Sequence, residues 1–112
     1  MEVEKLEFHG VPALKISGEI DLHASHQLRH SMRECADSKP PRLVLDMSCV
    51  DYIDSSGLAA LIEYMKESQN FSGKLGLFGM RDKVKSIFRL VGLDRFFIIE
   101  DTLEKTLERL ET

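Results

Sequence analysis

Beyond Gly18 the chain alternates between two hydrophobic rhythms, and that alternation is the strongest constraint on its fold. Stretches with apolar residues three and four apart, as an amphipathic helix needs, follow short runs of contiguous or alternating apolar residues, as a strand needs. Val3 to Phe8 and Val11 to Ser17 form an opening hairpin turned at His9-Gly10, and Gly18-Glu19-Ile20-Asp21 closes its second strand. Asp21 is a good N-cap for a helix from Leu22 to Ala36, where Ala24, Leu28, Met32 and Cys35 share a stripe. Ser38-Lys39-Pro40-Pro41 stops that helix, and Leu43-Val44-Leu45 is an apolar run of the kind buried on both faces of a parallel sheet.

Ser48 to Asp54 reads as a connecting turn, and Ser55-Ser56-Gly57 opens a second helix carrying Leu58, Leu61, Ile62 and Met65. Phe71-Ser72-Gly73 ends it, and Lys74 to Phe78 is a further strand. Val84, Ile87, Phe88 and Val91 mark a third helix, with Gly92 as a left-handed terminator. Phe96 to Ile99 is strand-like, and a last helix over Leu103, Leu107 and Leu110 starts at Asp101 or Thr102, with Asp101 and Glu104 spaced as a capping box. The order is ββαβαβαβα. It predicts an α/β fold, a small mixed and mostly parallel sheet with helices mainly on one side.

Size and charge narrow the function. At 112 residues and 12.8 kDa the chain, residues 1–112, is expected to be a single domain. Area scaling gives a folded surface of roughly 6,300 Å², about a third of that of the extended chain, which is adequate burial without metals or disulfides. Fifteen basic against nineteen acidic side chains give a net charge of -4, with no basic block. Direct nucleic-acid binding is therefore not expected. No apolar run is long enough for membrane insertion. The acidic start Met1-Glu2-Val3-Glu4 does not resemble an export signal, and Cys35 and Cys49 are not spaced as a redox or zinc pair, so a cytoplasmic location with reduced thiols is expected.

Asp54-Ser55-Ser56-Gly57 lies between an apolar strand and a helix, at the carboxyl edge where parallel sheets gather functional groups. Taken alone it reads as a helix cap, one of its oxygens accepting from the first free N–H groups. It belongs to a longer pattern, however: Val44-Leu45-Asp46-Met47-Ser48, then Val50-Asp51-Tyr52-Ile53-Asp54-Ser55-Ser56-Gly57-Leu58, then Leu61. With Gly18-Glu19-Ile20-Asp21 upstream and Val84-Lys85 through Val91-Gly92-Leu93 downstream, this resembles a STAS domain, and more closely the stand-alone anti-sigma factor antagonists. One departure is Gly57-Leu58-Ala59, where members often carry Gly-Leu-Gly; alanine suits a helix interior better.

The resemblance implies a non-enzymatic switch, with Ser55 as its phosphorylation site. The unmodified protein binds a serine kinase that doubles as an anti-sigma factor, so that a sigma factor is released, and phosphorylation reverses this. The kinase supplies ATP and magnesium, the protein needs no cofactor of its own, a phosphoserine phosphatase resets it, and the free protein is expected to be a monomer. The resemblance further implies a partner surface of Asp21, Asp54, Ser55, Ser56, Gly57 and Leu58. Residue types alone leave open which serine is the more exposed. A phosphoserine adds roughly -1.5 to -2 charge. A helix N-terminus favours it by about 0.3 to 1 kcal/mol, so the fold should tolerate it and the effect should fall on the interface. Asp21, Asp51 and Asp54 would make that edge acidic if the loops converge.

Other readings are weaker. His23, His26 and His30 share a helical face with Arg33 and Asp37, which favours a solvated face over a metal site. No phosphate loop, dinucleotide fingerprint or nucleophile elbow is present. A receiver-like role for Asp46 lacks an acidic pair after the first strand. The alternative function is a STAS scaffold subunit, not phosphorylated, of a transporter ATPase or a larger signalling assembly.

Overall fold

Five strands and four helices carry the alternation into three dimensions. The computed structural model describes residues 1–111. Strands β1 (Glu2–Phe8) and β2 (Val11–Ile20) form the antiparallel hairpin, with His9 and Gly10 at positive φ in the turn. Then follow α1 (Leu22–Asp37), β3 (Arg42–Ile53), α2 (Ser55–Ser68), β4 (Lys74–Phe78), α3 (Asp82–Leu90), β5 (Ile98–Glu100) and α4 (Leu103–Glu111). The sheet order is β1-β2-β3-β4-β5, and every pair after the hairpin is parallel. The accessible surface of 6229 Å² agrees with the value expected for a chain of this mass.

Alternation along β3 sorts its side chains between two cores. Leu43, Leu45 and Met47 join the larger cluster with Leu28 and Met32 of α1, Leu61 of α2 and Phe88 of α3. Val44 joins the smaller one, with Val11, Ala13 and Leu110 of α4. Three helices thus cover one face and α4 the other, as the sequence leads one to expect. Each fully buried Leu or Ile removes enough apolar surface to contribute about 1.5–3 kcal/mol.

Two local expectations need correction, and a third, the start of α4 at Asp101 or Thr102, is decided for Thr102. Residues 48–54 are not a turn: β3 runs unbroken to Ile53. Its pairing with β2 steps from Lys15–Asp46 to Ser17–Cys49, and again from Gly18–Val50 to Glu19–Tyr52, so β3 twice carries one residue more than its partner. These bulges change the spacing of buried residues from two (Leu43, Leu45, Met47) to three (Met47, Val50, Ile53) and so erase the period that marks a strand. The final strand starts at Ile98, not Phe96, because Leu93–Arg95 forms a 3-10 turn; Phe97 is buried edge-on against Phe88, ring centroids 5.8 Å apart. Helix α4 is capped by Thr102, whose hydroxyl accepts from the Lys105 N–H at 3.2 Å, while Asp101 is drawn away into an ion pair with Lys85 at 2.7 Å. Gly92 is left-handed after α3, φ 74°, as expected.

Candidate functional site

Strands β2 and β3 end side by side, Ile20 opposite Ile53, and each is followed by an aspartate that starts a helix. Asp21 and Asp54 have nearly the same extended backbone, φ -98° and -104°, as N-cap residues require. The Asp21 carboxylate accepts from the Ala24 N–H at 2.9 Å. Oδ1 of Asp54 accepts from the N–H groups of Ser56 at 3.0 Å and Gly57 at 3.2 Å, and from the Ser56 hydroxyl at 2.6 Å. The two loops are tied directly, since the Asp54 N–H donates to the Ile20 carbonyl at 3.1 Å.

Gly57 makes this close approach possible. A Cβ there would stand 2.7 Å from Ile20 Cγ2, 2.7 Å from Ile53 Cγ1 and 2.9 Å from the Ile20 carbonyl oxygen, so the first turn of α2 sits against backbone with no room for a side chain.

The geometry separates two adjacent serines. Ser55, at the first helical position, is exposed and its hydroxyl has no hydrogen-bond partner among the described residues. Ser56 is half-buried and its hydroxyl is committed to Asp54. That bond, with the N–H groups of Gly57, Ser56 and Leu22, holds the Asp54 carboxyl below the ordinary carboxylate value against an opposing push from burial. Of the six residues expected at a partner surface, Asp21, Asp54, Ser55 and Ser56 reach the surface together. Gly57 and Leu58 lie buried beneath and shape the edge from below.

Asp51 does not add its charge freely to this edge, because it pairs with Arg81, whose Nε also donates to the Ser48 carbonyl at 3.1 Å. A shallow depression of about 450 Å³ beside the two caps is lined by Asp21, Leu22, His23, His26 and Asp54. Leu22 is 67% exposed and Tyr52 is also exposed, giving the edge apolar anchors that residue patterns did not single out. Leu22 stands off the stripe of buried α1 residues, which is the one hint available in sequence; Tyr52 was hidden in a supposed turn.

Among the described residues no group of three or more His, Cys, Asp or Glu side chains could hold a metal, and His30 pairs with Glu34 at 3.0 Å. Asp46 accepts from the Ser48 N–H at 2.9 Å and the Ser48 hydroxyl at 2.6 Å, so it is tied into the first bulge of β3. No described helix is long and apolar enough to cross a membrane.

The family model of the STAS domain matches residues 2–108. The chain belongs to the STAS domain family. Within it, the chain is 33% identical over 101 residues to the anti-sigma-F factor antagonist RsfB of Mycobacterium tuberculosis, covering 90% of this chain and 82% of RsfB. A crystal structure of an anti-sigma factor antagonist from Mycobacterium paratuberculosis superposes with a TM-score of 0.89 at 26% identity, covering 99% of this chain and 94% of that one. The fold is shared too with the anti-sigma factor antagonist SpoIIAA in its unphosphorylated form (TM-score 0.82, 20% identity, 98% and 96% covered). Its phosphorylated form gives 0.72 at 19% identity, with 97% and 99% covered. This STAS domain therefore stands among anti-sigma factor antagonists, a group in which one fold is known both with and without phosphate.

Proposed function

We propose that this STAS domain is a phosphorylation-controlled anti-sigma factor antagonist whose input is Ser55. Unmodified, it binds an anti-sigma serine kinase in the cytoplasm through the Asp21–Asp54 edge and releases a sigma factor. Phosphorylation of Ser55 by that kinase, which brings its own ATP and magnesium, ends the interaction, and a phosphoserine phosphatase restores it. The chain itself performs no catalysis.

The observation that carries this reading is the contrast between the free, exposed Ser55 hydroxyl and the Ser56 hydroxyl held by Asp54. The Asp54 carboxylate already occupies the N–H groups of Ser56 and Gly57, so a phosphate on Ser55 has no vacant cradle in the first turn and faces outward. An outward dianion beside Asp21 and Asp54 has to be desolvated against the partner. A hundredfold loss of affinity corresponds to about 2.8 kcal/mol, within what such burial costs.

The test is phosphopeptide mapping after incubation with the cognate kinase and ATP. Phosphate should appear on Ser55, be absent from Ser55→Ala, and leave Ser56 unmodified, while Ser55→Ala still binds the kinase. No phosphate on the wild type, with the kinase active on a control substrate, would support the scaffold role instead.

A further inference from the structure

A second patch of exposed apolar side chains lies far from Ser55. Leu90, the last residue of α3, is 86% exposed, and Phe96 at 65% and Val91 at 53% lie in the connection that leads from it into β5. Helix α3 starts at the carboxyl edge of the sheet, where Arg81 reaches Ser48 and Asp51, and runs back to the opposite edge. There Phe96 lines a depression of about 190 Å³ with Met65, Gln69, Gly73 and Ile98, beside the start of β4. The patch and the Ser55 edge therefore sit at opposite ends of the parallel strands.

Charge distinguishes the two ends. Of the five basic side chains in residues 81–95, Arg81, Lys83 and Lys85 lie toward the start of α3, on the carboxyl edge, while Arg89 and Arg95 lie at its far end. Arg81 and Lys85 are paired with Asp51 and Asp101, whereas Lys83, Arg89 and Arg95 are exposed and form no ion pair among the described residues. The far end of α3 thus offers three apolar side chains flanked by two unpaired cations, Arg89 and Arg95, and one exposed acid, Asp94. The Ser55 edge offers the reverse, apolar Leu22 and Tyr52 flanked by Asp21, Asp54 and the exposed Glu19. Arg89 and Arg95 of one end can meet Asp21, Asp54 and Glu19 of the other.

We propose that a second copy of this chain docks there head to tail, the Leu90–Phe96 end of one copy on the Leu22–Tyr52 edge of the next. Because the two surfaces face away from each other on one molecule, the contact is heterologous and repeats without closing into a twofold dimer. The association is weak, salt-sensitive and invisible at low concentration, where the chain is a monomer; at high concentration it covers Ser55. Only that last consequence rests on the reading of Ser55 as the input, since docking itself depends on the two surfaces alone.

Sedimentation velocity at low ionic strength, up to concentrations on the order of 1 mM where about 4 kcal/mol of association free energy becomes visible, tests the idea. The average mass of the wild type should rise with concentration and fall back in high salt. The double variants L90S/F96S and L22S/Y52S should each remain monomeric alone, with circular dichroism melts like the parent. Mixed in equal parts they should form a one-to-one dimer, because each retains the surface the other has lost. R89E/R95E, which alters no buried residue, should weaken wild-type association about tenfold or more and replaces L90S/F96S if that variant unfolds. A wild type that stays monomeric, or lone variants that still associate, or a mixture that does not, overturns the proposal. None of these outcomes bears on whether the kinase modifies Ser55, which phosphopeptide mapping decides separately.

Discussion

Ser55 and Ser56 are neighbours with the same chemistry and opposite commitments, one hydroxyl facing water and the other bound to a carboxylate. Replacing Ser56 by Ala removes a charge-assisted bond and should cost about 1–2 kcal/mol in chemical denaturation, while Ser55→Ala should stay within about 0.5 kcal/mol of the parent. The Asp54 carboxyl, held low in the folded state, stabilises the protein above the ordinary carboxylate range; that contribution is lost as pH falls through the depressed value. In Ser56→Ala the loss should begin at higher pH, which an NMR titration of the Asp54 carboxyl would follow. Gly57→Ala should cost about 1–3 kcal/mol, since the new methyl meets Ile20 and Ile53 at 2.7 Å. Sequence made the aspartate caps readable, because cap preferences act within three residues. It left the choice between the serines open, because that depends on which oxygen Asp54 presents and to whom.

Helices and strands were legible where one hydrophobic period held for the whole element. Helices α1 and α2 keep theirs, and both appear where the pattern put them. Strand β3 does not, because its two bulges shift buried positions by one residue each, and a bulge is set by pairing with β2 and not by the local residues. Sequence leaves the start of α4 between Asp101 and Thr102 for a similar reason: Asp101 fits a cap locally but finds Lys85 across the fold, and Thr102 takes the cap. Thr102→Ala should therefore destabilise the protein by about 1 kcal/mol, with Asp101→Ala near neutral, as thermal melts can show. Helices α1 and α2, whose first turns build the candidate site, are also joined by Glu63, which accepts from Arg29 at 2.8 Å and Arg33 at 3.1 Å. These guanidinium groups hold its carboxyl below the ordinary value. The cluster is largely exposed, so Glu63→Ala should cost less than about 1 kcal/mol, with urea midpoints as the measure.

For the molecule as a whole, the sheet's parallel character and the side on which most helices lie were readable from element order. The distribution of charge between its two ends was not, because Arg81, Lys85, Asp51 and Asp101 cancel in pairs only after folding. Phosphorylation at Ser55 is expected to leave the far-ultraviolet spectrum and melting temperature unchanged while reducing kinase affinity about a hundredfold, or about 2.8 kcal/mol. Calorimetry on the two forms, with matched melts, separates an altered interface from an altered fold.

The seating of α2 directly on the last residue of β2, with only a glycine hydrogen at the contact, bears on how information leaves the molecule. The first turn of a helix so placed is pressed against the ends of two strands, so the serine it displays is held like type on a page. On the proposed reading, whatever reads that character must come to it from outside, and a mark placed there and erased leaves the page unworn.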